Sequence, residues 1–153
     1  MPKRPDLKKI MVIGSGPIVI ELINELKGKL PILAIGYGHI LLGMSYGLKP
    51  IKMLFGQNGA NHSTKNTLNG RVYNRVHSHQ YAFKNSDFKN RSLKVLEYGL
   101  VEDVVECLVD NKSLTIGTAY YPDLISVDNA YNLFLNNMNL KKGEAKNAKK
   151  NRS

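Results

Sequence analysis

The stretch Ala34–Lys49, AIGYGHILLGMSYGLK, constrains the fold more than any other part of this chain. The apolar run PILAI stops at Gly36, and HILLGMSYGL resumes two residues later. A short apolar run closed by glycine suits a strand buried on both faces, and the segment after it is spaced for a helix ending near Gly47. Strand, tight glycine turn and helix in succession is also how many enzymes hold a nucleophile above a sheet. The residue at the apex here is Gly36, which has no side chain to present.

The flanking segments extend the pattern. Lys9–Ile13 (KIMVI), closed by Gly14-Ser15-Gly16-Pro17, predicts another buried strand. Ile20–Lys29 carries Leu22, Ile23 and Leu26 at helical spacing, with Gly28 as its stop. Strand, helix, strand, helix in this order predicts a βαβ unit, hence an α/β fold whose parallel sheet is covered by helices. Downstream, KMLFG, RVYNRVHSHQYAF and LKVLEYG cluster β-branched and aromatic residues between turn residues and predict strands. VVECLVDNKSLTIGTAY predicts a hairpin across Asp110-Asn111, and Asn129–Met138 predicts a closing helix with Ala130, Leu133, Phe134 and Met138 on one side.

At 153 residues the chain suits one domain. No apolar run is long enough for a membrane helix, so no membrane partner is expected. The basic N-terminus precedes only a short apolar run broken by glycine and proline, which reads as a strand and not a leader; a cytoplasmic location is the expectation. Residues 141–153 hold six basic residues against Glu144, half of the net charge of +10. With no apolar periodicity, residues 140–153 are expected to be a disordered basic tail. No aromatic interleaves those lysines as a stacking platform, so nucleic acid is not an expected partner.

Three groups invite a chemical reading. Cys107, the only cysteine, lies in the strand-like VVECLV, where a small buried thiol is a more ordinary role than a nucleophile. His77 and His79 form an H-x-H pair that puts both imidazoles on one strand face, and with His39 or His62 they could in principle hold zinc. Packing and hydrogen bonding is the preferred role, and neither a metal nor a cofactor is expected. Gly14-Ser15-Gly16 begins like a dinucleotide fingerprint, but Val19 stands where its third glycine belongs.

Taken together, these motifs resemble a known family. From Glu21 to Asn139 the chain is similar to the C-terminal part of the glutamine amidotransferase domain in the small subunit of carbamoyl-phosphate synthase. LPILAIGYGHILLGMSYGLKPIKMLFGQNGANHSTKN resembles that family's elbow, helix and K-M-x-F-G-x-x-G-x-N-H-P segment. RVYNRVHSHQYAF resembles its T-x-Q-N-H-x-(F/Y)-A strand, and NAYNLFLNNM its closing helix. LVEDVVECLVDNKSLTIGTAYYPD resembles its DGTVEG…FxVQxHPE region. His39, His62 and His79 fall on histidines of these motifs. Residues 1–20, MPKRPDLKKIMVIGSGPIVI, instead resemble the opening of the large, ATP-using subunit. The expected organisation is therefore a borrowed strand over 1–20, a partial amidotransferase domain over 21–139, and the tail over 140–153. The implied fold is three-layer α/β, flavodoxin-like in the manner of class I glutamine amidotransferases, and truncated on its N-terminal side.

The resemblance also implies a chemistry that the residues no longer support. The family hydrolyses glutamine with a cysteine nucleophile, a histidine base and an orienting carboxylate. Those positions are occupied here by Gly36, Tyr121 and Asp123. Glycine offers no nucleophile, and a phenol that ordinarily titrates at about pH 10 is a poor base in neutral solution. The family's substrate-contact positions fall on Tyr37, Ile40, Ser78, Gln80 and Tyr81, with Gly14 and Gly16 matching its glycine loop. Most of these residues depart from the family's, so glutamine binding is not expected. The implied role is a degenerate domain that at most braces or docks on the large subunit. Two alternatives stay open: a residual glutamine-hydrolysing component with an unrecognised nucleophile, and a decaying gene product without a stable fold.

Overall fold

The computed structural model describes residues 17–89, 92–122 and 129–150, the side chains of 17, 129 and 144–150 excepted. Helix α1 spans Pro17–Leu26. Proline suits the first helical position because no backbone donor is needed there. Gly28, with φ of +77°, follows as a left-handed stop. Strand β1 (Ile32–Ile35) runs through Gly36 into α2 (Tyr37–Ser45), as the sequence predicts. A long hairpin follows, β2 (Ile51–Asn66) and β3 (Val72–Ala82), then a 3-10 turn at Asn85–Phe88. Strands β4 (Lys94–Gly99), β5 (Val105–Asp110), β6 (Thr115–Thr118) and β7 (Tyr120–Tyr121) lead to α3 (Asn129–Lys150).

The seven described strands form one sheet in the order β1-β6-β5-β4-β2-β3-β7. It is mixed, where the sequence led us to expect a parallel sheet. Only β1 with β6 pairs in parallel among the described strands. The reason lies in the connections: β2–β3, β4–β5 and β5–β6 are joined by short turns, which permit only antiparallel pairing. The hairpin predicted across Asp110-Asn111 is the β5–β6 pair. Its turn is closed by Asp110, whose carboxylate accepts from the backbone N–H of Lys112 and Ser113 and from the hydroxyls of Ser113 and Tyr46. Burial pushes that carboxyl upward, but the hydrogen bonds outweigh it and hold Asp110 below its ordinary value.

Side chains alternate across β1, so Ile32 and Ala34 face one layer and Leu33 the other. On the first side, Ile23 of α1 and Ile40, Leu41 and Leu42 of α2 pack with Phe83 and Leu108. On the second, Ala130, Leu133 and Phe134 of α3 cover Cys107, Val109, Ile116 and Tyr120. The sheet is thus sandwiched between helices in its β1-β6-β5 half. Close approach of α2 depends on Gly43, because a methyl group there would stand 2.3 Å from the buried ring of Phe83.

The two ends of the chain fare differently from each other. The strand expected over Lys9–Ile13 lies outside the described residues. The disordered tail expected from residue 140 is replaced by helix, since α3 continues to Lys150. Lys141, Lys142, Glu144, Ala145 and Lys146 are good helix formers, and the lack of an apolar stripe signals only that this part of the helix has little to bury. Among the described residues, no helix is long and apolar enough to cross a membrane.

Candidate active site

Gly36 holds φ 59° and ψ −118°, a conformation that residues with a Cβ rarely adopt. Its N–H donates to the Thr118 carbonyl at 2.8 Å, and its own carbonyl accepts from the His39 N–H at 3.1 Å. These two bonds tie the turn to β6 on one side and to the first turn of α2 on the other. A Cβ built on Gly36 would meet nothing within 4 Å. The apex is therefore shaped like a site for a displayed side chain, with open space where that side chain would sit.

The open space belongs to a cavity of about 320 Å³ lined by Gly36, Tyr37 and Ile40 from the elbow, Asn58 from β2, and Ser78, His79, Gln80 and Tyr81 from β3. Six of the residues singled out in the sequence, Gly36, Tyr37, Ile40, Ser78, Gln80 and Tyr81, thus surround one cavity. Tyr121 does not line it. It lies on β7 opposite Val76 and is 54% exposed. Asp123, Gly14 and Gly16 lie outside the described residues. The sequence pattern did not single out Asn58, and it assigned His79 to packing.

The elbow itself carries no reactive side chain at its apex. Helix α2 begins at Tyr37 on the cavity wall, yet no thiol or hydroxyl stands on the apex at Gly36. Cys107 is fully buried in the α3-facing layer with Val109, Ile116 and Tyr120, on the other side of the sheet from α2. It does not line the cavity.

The H-x-H pair does share a face, as its spacing predicts. Nδ1 of His77 and Nε2 of His79 stand 3.0 Å apart, and Nδ1–H of His79 donates to the Tyr81 carbonyl at 3.1 Å. Burial, then the neighbouring His79, His62 and Arg75, pull the His77 imidazole down to about 3. Burial likewise holds His39, packed against Phe83, at about 4. Both groups are thus neutral in the native state and take up protons on unfolding below the ordinary histidine value. Stability is expected to fall as pH drops from about 6 toward 4, by roughly 1.4 kcal/mol per pH unit for each imidazole. Urea midpoints measured across that range in chelator-containing buffer check the slope, and a His77→Gln variant should flatten it by about one proton.

Known proteins agree with this geometry. The family model described as glutamine amidotransferase class-I matches residues 12–139, beginning within the segment 1–20 that was set apart above. The carbamoyl phosphate synthase small chain of Oceanobacillus iheyensis is 36% identical over 107 residues, covering 70% of this chain and 29% of that one. The corresponding small chain of Staphylococcus saprophyticus is 32% identical over 120 residues, covering 74% and 33%. The match therefore spans about a third of those relatives' length. A Thermoplasma acidophilum protein assigned as part of a GMP synthase superposes with a TM-score of 0.65 at 14% identity, over 86% of this chain and 66% of that one. A glutamine amidotransferase from Thermotoga maritima superposes at 0.53, also at 14% identity, over 68% and 44%. The chain belongs to the class-I glutamine amidotransferase family, with a domain like that of the carbamoyl phosphate synthase small chain.

Proposed function

We propose that this chain is a degenerate amidotransferase domain of the carbamoyl phosphate synthase small-subunit type, without glutaminase activity, that acts by docking on the large subunit. The observation that carries this reading is Gly36: the elbow keeps its backbone geometry and its open cavity, and holds no nucleophile. The motif resemblance assigns Ile40, Ser78 and Gln80 to the family's glutamine-contact positions and Tyr121 to its base position; the first three line the cavity and Tyr121 does not.

A docking role is supported by the outer half of the sheet. Leu54 and Phe55 of β2 are 90% and 73% exposed, and farther along the hairpin Val72 and Val76 of β3 are exposed too, Val76 opposite the exposed Tyr121 of β7. Adjacent large apolar side chains as exposed as Leu54 and Phe55 are more characteristic of an interaction surface than of a solvated edge. Co-purification with a carbamoyl phosphate synthase large subunit is the test. A complex is expected to persist at about micromolar concentrations of both chains, and a Leu54→Asp/Phe55→Asp variant should weaken it at least tenfold. A wild-type chain that elutes alone under those conditions contradicts the docking role.

A further inference from the structure

We propose that His77, His79 and Glu106 form a binding site for a divalent transition metal ion of the zinc class, bordering the cavity but separate from the lost triad. The three side chains come from two strands. His77 and His79 project from the same face of β3, and Glu106 from β5. Nδ1 of His77, Nε2 of His79 and Oε2 of Glu106 form a triangle with sides of 3.0, 3.4 and 3.4 Å. A tetrahedral ion bound at roughly 2.0–2.1 Å sets its ligand atoms about 3.3–3.4 Å apart. The three atoms therefore already occupy nearly one face of such a tetrahedron.

The surroundings favour an ion over a simple hydrogen-bonded cluster. Glu106 is fully buried, and neither of its carboxylate oxygens has a hydrogen-bond partner among the described residues. The two imidazoles stand 3.4 Å from Oε2, beyond good hydrogen-bond distance. A buried carboxylate left in that state is costly, and a bound cation would satisfy it. His79 is prepared as a ligand, because its Nδ1–H is spent on the Tyr81 carbonyl, leaving the Nε2 lone pair turned to the cluster, where without an ion it accepts from Nδ1–H of His77 at 3.0 Å. His77 can join it in neutral form with its proton moved to Nε2. Two imidazoles and a carboxylate suit zinc, cobalt or nickel better than calcium or magnesium, which prefer oxygen. His79 also lines the cavity, which supplies an entry path and leaves a fourth position for water. Of the four histidines, His77 is the one that the motif resemblance leaves unexplained.

The test uses the full chain stripped with a chelator. Titration with Co²⁺ is expected to give one ion per chain with the intense visible bands of four-coordinate cobalt. Zn²⁺ at about a hundredfold excess over its Kd should raise Tm by roughly 5–10 °C, whereas Ca²⁺ and Mg²⁺ should not. Glu106→Gln and His77→Gln preserve volume and should each weaken Zn²⁺ binding at least tenfold. A wild-type chain with neither the cobalt bands nor the zinc shift overturns the proposal, as do two folded variants that bind like wild type. If the variants do not fold, the wild-type cobalt titration decides alone.

Discussion

Replacing Arg75 with leucine is expected to destabilise the chain by about 3–5 kcal/mol, the largest single-residue effect anticipated away from the cavity. The guanidinium is 7% exposed and grips Glu97 with two arms, Nη2 to Oε1 at 2.8 Å and Nε to Oε2 at 3.3 Å. Glu97 is fully buried and also accepts from the Thr64 hydroxyl at 2.8 Å. The planar cation stacks over the rings of Tyr120 and Tyr73, at 4.4 and 4.7 Å from their centroids. Because Thr64, Arg75 and Glu97 sit on β2, β3 and β4, the network ties together three neighbouring strands. Loss of Arg75 strands a buried carboxylate, and that penalty exceeds the worth of the pair itself. The double variant Arg75→Leu/Glu97→Leu removes both charges, so it should recover most of the loss. Urea unfolding at neutral pH reads both. A single variant within about 1 kcal/mol of wild type would mean that water reaches Glu97 in the folded state.

The fold was legible where the signal is local. The strand-glycine-helix at Ile32–Ser45 and the Asp110 hairpin were both predicted, because turn chemistry and apolar runs act over a few residues. Sheet direction was not, since the early βαβ pattern was extended to strands whose short turns demand antiparallel pairing. Strand β2 proved far longer than KMLFG. Its remainder is polar and rich in glycine and asparagine, and register shifts between Lys52 and Gln57 and between Gly59 and His62 break the alternation that would mark it. At the site, only the resemblance joined Gly36, Tyr37 and Ile40 to Ser78, Gln80 and Tyr81. No periodicity relates the elbow to β3. Glu106 was passed over, although a signal existed: it is the charge inside the apolar run VVECLV, and β5 is buried along its whole length. A carboxylate in such a strand needs a partner, and the groups nearest to it are the H-x-H imidazoles, 3.4 Å away.

The second large effect concerns turnover. Removing the nucleophile of a nucleophile–base hydrolase lowers kcat by about 10⁶-fold, so the chain with Gly36 at the apex should show no measurable glutaminase activity. The space for a side chain survives, and this separates two causes. A Gly36→Cys variant should fold, at a cost of roughly 1–3 kcal/mol for placing a Cβ in that backbone conformation. Its thiol should react with a small alkylating reagent from the cavity, unlike the buried Cys107. On the proposed reading it should nonetheless release no ammonia from glutamine, even with Tyr121→His added, because the resemblance assigns Ile40, Ser78 and Gln80 to glutamine-contact positions where the family has other residues, and residue 121 does not line the cavity. Turnover by the double variant would show that the triad alone had been lost and that the glutamine pocket had outlived it.

The most direct measurement is glutamine-dependent ammonia release by the unmodified chain, between about pH 6 and pH 9, where a general base of this class would operate. The expected result is release indistinguishable from that of buffer, and unchanged by Cys107→Ser. Release that grows in proportion to protein concentration, and that Cys107→Ser abolishes, would contradict the account by finding a nucleophile in the buried layer beneath α3.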